Sequence, residues 1–270
     1  MICGGFIVAI RVNHVLSDGL GLAQFVKAVG EFAQGASSPS IIPVWRRQLL
    51  TAKHVPLRTT YDQTQYRHEI DATTMDHQNL VSGSFFFGPK EMKALRQKLP
   101  PSQTQPTSKF DLITASIWIC RTRALEFAGD ETVAVICTMN ARDKGPLELR
   151  HGYYGNAVVF PTAVAKAGRP AFLRSRSCFI ATDLSRLGFD EMDFGWGNPV
   201  YGGTMDGGAS ATAITHARYR NSGGEDGVVV PVFLPPAAMK RFEAEMKKLI
   251  AFEPREVIEI QCKSPLKSAL

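Results

Sequence analysis

Paired cysteines, long apolar stretches and basic runs are all missing from this sequence. The five cysteines are an odd number, lie far apart and include no Cys-x-x-Cys pair. This distribution disfavours a disulfide framework or a zinc site and fits a reducing compartment. No apolar stretch approaches the roughly 20 residues that a membrane helix requires, and residues 1–10 lack the basic leader and cleavage site of a signal peptide. We therefore expect a cytoplasmic protein with no metal site and no membrane contact.

The net charge of +6 raises the question of a nucleic-acid partner. The basic residues are scattered, no basic run is interleaved with aromatic residues, and no nucleic-acid-binding module is recognisable. A nucleic-acid partner is therefore the least supported alternative. A surface of this charge is better suited to a small polyanionic cofactor.

The length and composition are those of an ordinary globular protein. With 270 residues, of which 44% are hydrophobic and 21% charged, the chain can form one large or two modest domains with substantial cores. No internal repeat occurs. Strand-like and helix-like segments alternate, which predicts a mixed α/β fold.

The first of these segments leads to a histidine. Residues 5–12 are largely apolar on both faces of a strand pattern, so we predict a mostly buried strand. Apolar residues then recur at helical spacing over residues 19–32, and Gly35 provides a stop. Asp18 or the serine before it is expected to cap this helix. His14 would lie at the junction of strand and helix, where a side chain can face a cleft.

The rest of the chain is divided by a long passage without clear periodicity, residues 51–83. We predict that this passage is a crossover between two lobes. Beyond it, periodicity and turn residues predict helices after Pro89, Ser108 and Pro236, and strands at residues 133–139, 157–160, 178–183 and 228–234.

The chemical interest of His14 is its ordinary pKa near neutrality. Such a ring can take a proton from a hydroxyl and return it to a leaving group. The His-x-x-x-Asp spacing with Asp18 is short enough to occur by chance, and alone it leaves open a hydrogen-bonded histidine at a strand end. A nucleophilic pair with Ser17 is disfavoured, because Ser17 is only three residues away at a helix start.

A second motif changes this balance. Residues 193–197 read Asp-Phe-Gly-Trp-Gly, a pattern far more specific than the first. Together with His14 and Asp18, it makes the sequence resemble the plant BAHD acyltransferases, in particular the alcohol acyltransferases of the benzyl alcohol O-benzoyltransferase type. Residues 3–6, 140–142 and 153–156 agree with the same family.

The resemblance implies a two-lobed α/β fold of the chloramphenicol-acetyltransferase type with a channel between the lobes. Acyl-CoA, a co-substrate and not a permanently bound cofactor, would meet a small-molecule alcohol at His14. His14 would deprotonate the alcohol, whose oxygen attacks the thioester, and the protonated ring would supply a proton to the CoA thiolate. The transferred group would be of the benzoyl or acetyl type, and the enzyme is expected to act as a monomer.

The resemblance also implies roles for other residues. Asp18 would be structural and pair with Arg142, for which the alternative is a solvated surface arginine. Asp193 and Trp196 would shape the channel. Ser108 and Lys109, at a helix N-terminus, would lie near the phosphates of CoA. Tyr154 and Asn156 are further candidates for contacts with CoA, and the alternatives for them are strand packing and a turn. Arg186 would bind an acidic acceptor.

Two departures from the family pattern concern missing chain. Relatives carry considerably more chain before the histidine strand, and a helical segment before residues 168–170 that is absent here. Residues 1–50 are therefore expected to be a remnant of the first lobe, most of which is missing, and residues 84–270 the second lobe. A strand without its lobe exposes apolar surface and backbone groups. The alternative to an active acyltransferase is thus a truncated, catalytically inactive chain.

Overall fold

The computed structural model describes residues 4–50, 79–99, 107–127, 131–142, 149–165, 178–204 and 212–250. Its helices are α1 (Gly19–Ala33), α2 (Pro89–Gln97), α3 (Lys109–Ala124) and α4 (Pro236–Ile250). Its strands are β1 (Val81–Phe87), β2 (Val133–Cys137), β3 (Met139–Asn140), β4 (Val158–Val159), β5 (Thr162–Ala165), β6 (Cys178–Asp183), β7 (Ala213–Arg220) and β8 (Asp226–Leu234). Short 3-10 helices lie at Arg47–Leu50 and Phe189–Glu191. Within these ranges, no helix is long and apolar enough to cross a membrane.

Six strands form one mixed sheet in the order β1-β8-β7-β6-β2-β5. Strand β6 is parallel to both β2 and β7, and the other neighbouring pairs are antiparallel. Helices α3 and α4 share a single hydrophobic cluster with the sheet, which includes Phe87, Phe179, Val230, Ile117 and Phe242. Burial of these side chains is the main favourable contribution to folding. The mixed sheet with its packed helices confirms the predicted α/β class.

Several element boundaries were correctly predicted because local chemistry sets them. The Ser108 hydroxyl accepts from the amide of Asp111 at 3.1 Å, and the Asp111 carboxylate accepts from the amide of Ser108 at 3.0 Å. This reciprocal capping begins α3. Helix α2 begins at Pro89 and α4 at Pro236, and β6 spans the predicted residues. Strands β5 and β7 were not predicted, and the central β7 carries polar residues that obscure a strand pattern.

The prediction of a mostly buried strand at residues 5–12 is wrong. These residues form no strand, and their large side chains are exposed, with Phe6 60% and Ile7 67% accessible. An apolar pattern becomes a buried strand only where neighbouring strands accept its backbone hydrogen bonds. No strand in the described part of the chain pairs with this segment.

Helix α1 has the predicted position, and part of its apolar face is exposed. Asp18 is its N-cap, with its carboxylate accepting from the amide of Gly21 at 3.0 Å. Phe25 and Phe32 are about half exposed. The buried positions are Gly21, Ala23, Val26 and Gly30, and Leu22 packs with Val26 in a small hydrophobic cluster that includes Met192.

The first strand after the predicted crossover starts slightly earlier than the sequence pattern indicates. Strand β1 begins at Val81, three residues before the predicted start at 84, because Val81 pairs with Leu234 across the sheet edge. Most of the predicted crossover, residues 51–78, lies outside the described residues, as does the shortened segment at residues 166–177. The division into a first-lobe remnant and a second lobe therefore stays a prediction.

Candidate active site

His14 lies in a tight turn between the exposed apolar segment and α1. The amide of Leu16 donates to the carbonyl of Asn13 at 2.9 Å, and the amide of Val15 donates to the Asn13 side chain at 3.0 Å. The imidazole is exposed. It faces an open cavity of about 680 Å³.

The cavity is lined almost entirely by hydrocarbon. Among the described residues, His14 and Asn156 contribute its polar side chains, and no other residue of this lining carries a charged or hydrogen-bonding side chain. Apolar walls with a few polar groups are typical of small-molecule sites. The remaining lining residues are Val15, Leu50, Ala141, Leu149, Ala157, Val158, Val159 and Phe160.

Asp18 and Arg142 form a buried bidentate ion pair behind this turn. The two nitrogen–oxygen distances are 2.9 and 3.0 Å, and the residues are 4% and 7% exposed. The contact expected from the resemblance is thus present, and the alternative of a solvated arginine is wrong. The Asp18 carboxylate contacts the segment at residues 153–157, where it accepts from the amide of Ala157.

The pair is completed by further hydrogen bonds, so neither charge is left unmatched. Asp18 also accepts from the amide of Ala157 at 2.9 Å. Arg142 donates from Nε to the Tyr153 carbonyl at 2.9 Å and from a terminal nitrogen to the Gly155 carbonyl at 2.5 Å. Because buried charges are tolerated only with such partners, this network fixes the start of α1 against residues 153–157.

Asn156 holds the histidine turn directly. Its amide donates to the carbonyl of His14 at 2.7 Å and lies 3.3 Å from that of Val15. The amide nitrogen of Asn156 is thus engaged by the backbone of the turn, and its predicted contact with CoA stays a prediction. The carbonyl of neighbouring Tyr154 lies against Gly21 of α1, where an added Cβ would be 1.9 Å away.

The second motif is a loop at the other end of α1. The Asp193 carboxylate accepts from the amides of Gly195 at 2.7 Å and Gly197 at 2.9 Å. Both glycines have positive φ angles, of 99° and 94°, which L side chains rarely adopt. The hydrogen bonds and the positive φ angles explain the aspartate and the two glycines of the motif.

The loop contacts the helix through its backbone. The Asp193 carbonyl accepts from the Gln34 side chain at 2.8 Å and lies 2.6 Å from where a Cβ of Gly30 would stand. Trp196 is 73% exposed and makes an edge-to-face contact with Phe6 at 5.0 Å. Neither Asp193 nor Trp196 lines the cavity. The two motifs lie at opposite ends of α1, which connects them.

The remaining candidates are not gathered at the cavity. Ser108 and Lys109 begin α3, where the Asp111 carboxylate already accepts from the Ser108 amide and hydroxyl. Arg186 is exposed in the turn after β6. None of the three lines the cavity, and their ligand-binding roles stay predictions.

One residue of this region was missed by the sequence analysis. Arg47, in the 3-10 helix that follows the exposed Trp45, contacts the histidine turn from more than 30 residues along the chain. No short-range pattern in the sequence signals such a contact.

The sequence profile of the Transferase family matches residues 1–173 and 171–249. The chain belongs to this family. It is the BAHD acyltransferase family that the two motifs resemble, and the predicted family assignment is confirmed.

Relatives in the BAHD family include named plant acyltransferases. The chain is 40% identical to alcohol acyltransferase 16 of Actinidia chinensis var. chinensis, over 92% of this chain and 62% of the relative. It is 39% identical to benzyl alcohol O-benzoyltransferase of Petunia hybrida, with the same coverage of each chain. The chain thus spans somewhat less than two thirds of the length of these relatives.

Solved structures share the fold at low sequence identity. Vinorine synthase aligns over 87% of this chain and 60% of its own length, with a TM-score of 0.63 and 21% identity. TRI101 of F. graminearum, crystallised with coenzyme A and T-2 mycotoxin, aligns over 87% and 64% with a TM-score of 0.57 and 15% identity. These matches confirm the BAHD-type fold.

Proposed function

We propose that the chain carries out acyl-CoA-dependent acyl transfer to the hydroxyl of an alcohol, with His14 as the general base. The observation that carries this proposal is the exposed imidazole at the wall of an apolar cavity, on a turn held by Asn156 and by the Asp18–Arg142 pair. A fixed base beside an apolar binding surface is the arrangement that this reaction needs.

The proposed reaction begins with the removal of a proton. A ring nitrogen of His14 takes the hydroxyl proton, the alcohol oxygen attacks the thioester carbonyl carbon, and the carbon–sulfur bond breaks. The protonated imidazole then returns its proton to the CoA sulfur. The products are an ester and free CoA, and the histidine ends in its starting state.

The chemistry of the cavity supports an uncharged substrate. Apart from His14, the described residues of its lining offer no ionisable side chain, so a charged acyl group or alcohol would lose hydration there without gaining a partner from them. An aliphatic or aromatic acyl group of the acetyl or benzoyl type fits this lining, and the names of the plant relatives agree with an alcohol acceptor.

Roles outside the cavity belong to the same proposal. Ser108 and Lys109 are proposed to lie near CoA, with Tyr154 and Asn156 as further contacts, and Arg186 to meet an acidic acceptor if one is used. The proposal requires no metal and no resident cofactor. We also propose that the protein is monomeric and cytoplasmic. The free thiols of Cys120, Cys137 and Cys178 support the second of these, because they fit a reducing compartment.

A second candidate is a catalytically inactive member of the family. It is favoured by the exposed apolar residues 5–12 and by the outward-facing Phe25 and Phe32 of α1. An open cavity excludes water poorly, and electrostatic catalysis is strongest in a water-poor site.

Turnover by the purified chain distinguishes the two candidates. Acetyl-CoA and benzoyl-CoA are supplied with benzyl alcohol, and ester and free thiol are measured for the wild type, His14→Ala and the control His151→Ala, which changes an exposed histidine. Loss of a general base should lower kcat by about 10²–10⁴-fold. Turnover that survives in His14→Ala would overturn the proposal. No turnover from a chain that unfolds cooperatively would support the inactive candidate.

A further inference from the structure

Arg47 reaches back across the chain to the turn that carries His14. One terminal nitrogen of its guanidinium donates to the carbonyl of Leu16, and the other lies 3.4 Å from the carbonyl of Val15. With the bond from Asn156 to the carbonyl of His14, three successive carbonyls of the turn are held by side chains from elsewhere in the chain.

The guanidinium is itself held by two aromatic rings. Its central carbon lies 4.6 Å from the ring centroid of Trp45 and 5.3 Å from that of Tyr154, and the two ring centroids are 6.0 Å apart. Contacts of a cation with aromatic faces are favourable. They also restrict the side chain, so less freedom is lost when its nitrogens meet the carbonyls.

The segment that carries Arg47 is fixed to the same part of the fold as the ion pair. The amide of Val44 donates to the carbonyl of Gly152 at 2.9 Å, and Val44 forms a bridge with Tyr153. Arg142 binds the carbonyl of this same Tyr153. Arg47 therefore connects the turn to residues 152–154.

We propose that Arg47 is a positioning residue for His14. By fixing the carbonyls of Val15 and Leu16, it holds the orientation of the peptide units next to His14, and with them the direction in which the imidazole enters the cavity. This inference rests on the proposed function for its catalytic consequence. Its structural part, that Arg47 orders the turn, can be tested without turnover.

The planar fork of the guanidinium is the property on which this role depends. A lysine would keep the charge, but it lacks the planar fork with which two separate nitrogens reach two carbonyls while the same group contacts both rings. If Arg47 instead attracted the phosphates of CoA by its charge, lysine would be an adequate replacement. The conservative substitution therefore distinguishes positioning from cofactor binding.

The variants for the test are Arg47→Met, Arg47→Lys and the control Arg46→Met, which removes the same charge at an exposed neighbouring position. Hydrogen exchange at the amides of Val15 and Leu16, which donate within the turn, reports its order. Loss of hydrogen bonds from a charged donor should accelerate this exchange by about ten- to a hundredfold in both Arg47 variants and not in the control. Unchanged exchange would overturn the inference.

Kinetics provide the second measurement. Misplacement of a catalytic group by about 1 Å lowers the rate on the order of a hundredfold, so kcat should fall in both Arg47 variants while KM for acyl-CoA stays within about twofold. A rise in KM that Arg47→Lys reverses would assign Arg47 to cofactor binding and overturn the inference.

If the wild type has no turnover, the proposed function fails, and hydrogen exchange still decides the role of Arg47. If Arg47→Met does not fold, Arg47→Lys decides alone.

Discussion

The backbone carbonyl of Tyr154 lies against Gly21 so closely that an added Cβ would be 1.9 Å from its oxygen. Gly21 belongs to the first turn of α1, three residues after the capping Asp18. The absence of a side chain there allows α1 to touch the segment that also receives the Asp18–Arg142 network. The start of the helix after His14 is therefore fixed by a close backbone contact, in addition to the packing of Leu22 and Val26 in a cluster with Met192.

Substitution of Gly21 by alanine should reverse the usual sign of a glycine-to-alanine change in a helix. At an unobstructed site the change stabilises by up to about 1 kcal/mol. Here the carbonyl of Tyr154 obstructs the methyl group, and we expect the free energy of unfolding to fall by about 1–3 kcal/mol. Urea titration measures this, with Lys27→Ala on the exposed face as a nearly neutral control. A stabilised Gly21→Ala would show that α1 is not seated as described.

Removal of the Arg142 guanidinium should strongly destabilise the chain. Arg142→Met leaves the 4% exposed Asp18 carboxylate without its main partner, a change expected to cost about 3–5 kcal/mol. Arg220→Met is the matched control, because it removes an exposed arginine from a bidentate pair with Asp226, and it should have a much smaller effect. Equal effects of the two substitutions would contradict the structural role of the buried pair.

Acidification should destabilise the fold through His216 on β7. Burial lowers the pKa of His216 to about 4, with only a partial opposing effect of Asp183. The unfolded chain, with a histidine pKa near 6.5, binds the proton first as the pH falls, so stability is retained above about pH 6.5 and lost progressively towards pH 4. Between pH 7 and pH 5 this site should contribute a loss of about 2 kcal/mol.

The measurement is the difference in unfolding free energy between these two pH values. His216→Gln should show a smaller acid-induced loss than the wild type, since glutamine does not titrate. His151→Gln, at an exposed position, should keep the full loss. If His216→Gln and the wild type lost the same free energy, another group would be responsible.

The apolar face of α1 should bind a hydrophobic dye. Phe25 and Phe32 are 56% and 50% exposed, and Val29 between them is 38% exposed. Exposed apolar patches bind such probes, so Phe25→Gln with Phe32→Gln should lower the fluorescence of anilinonaphthalene sulfonate with little change in unfolding free energy. Undiminished fluorescence would place the dye elsewhere, and a large loss of stability would show that these rings are packed.

The sequence was most informative where neighbouring residues determine the structure. The capping of α3 by Ser108 and Asp111 and the start of α2 at Pro89 follow from contacts within four residues. The ion pair between Asp18 and Arg142 joins positions 124 apart in the chain and was expected only because the sequence resembles a known family. Local pattern alone predicted neither partner.

The errors share a physical cause. The prediction of a buried strand at residues 5–12 assumes that apolar side chains find a covering surface. Whether they do depends on other segments, which periodicity does not specify. Arg47 was missed for the same reason, since its acceptors, the carbonyls of Val15 and Leu16, are 31 and 32 residues earlier.

Helix α1 has one consequence for how this chain can vary. Asp18 caps the first turn of α1, and Gly30 contacts the Asp193 loop near the last turn. The length of this 15-residue helix therefore sets the distance between two motifs that are about 175 positions apart in the sequence. Insertions or deletions in the intervening loops would leave that separation unchanged, whereas one residue added within the helix would rotate its far end by about 100° and carry Gly30 away from its contact.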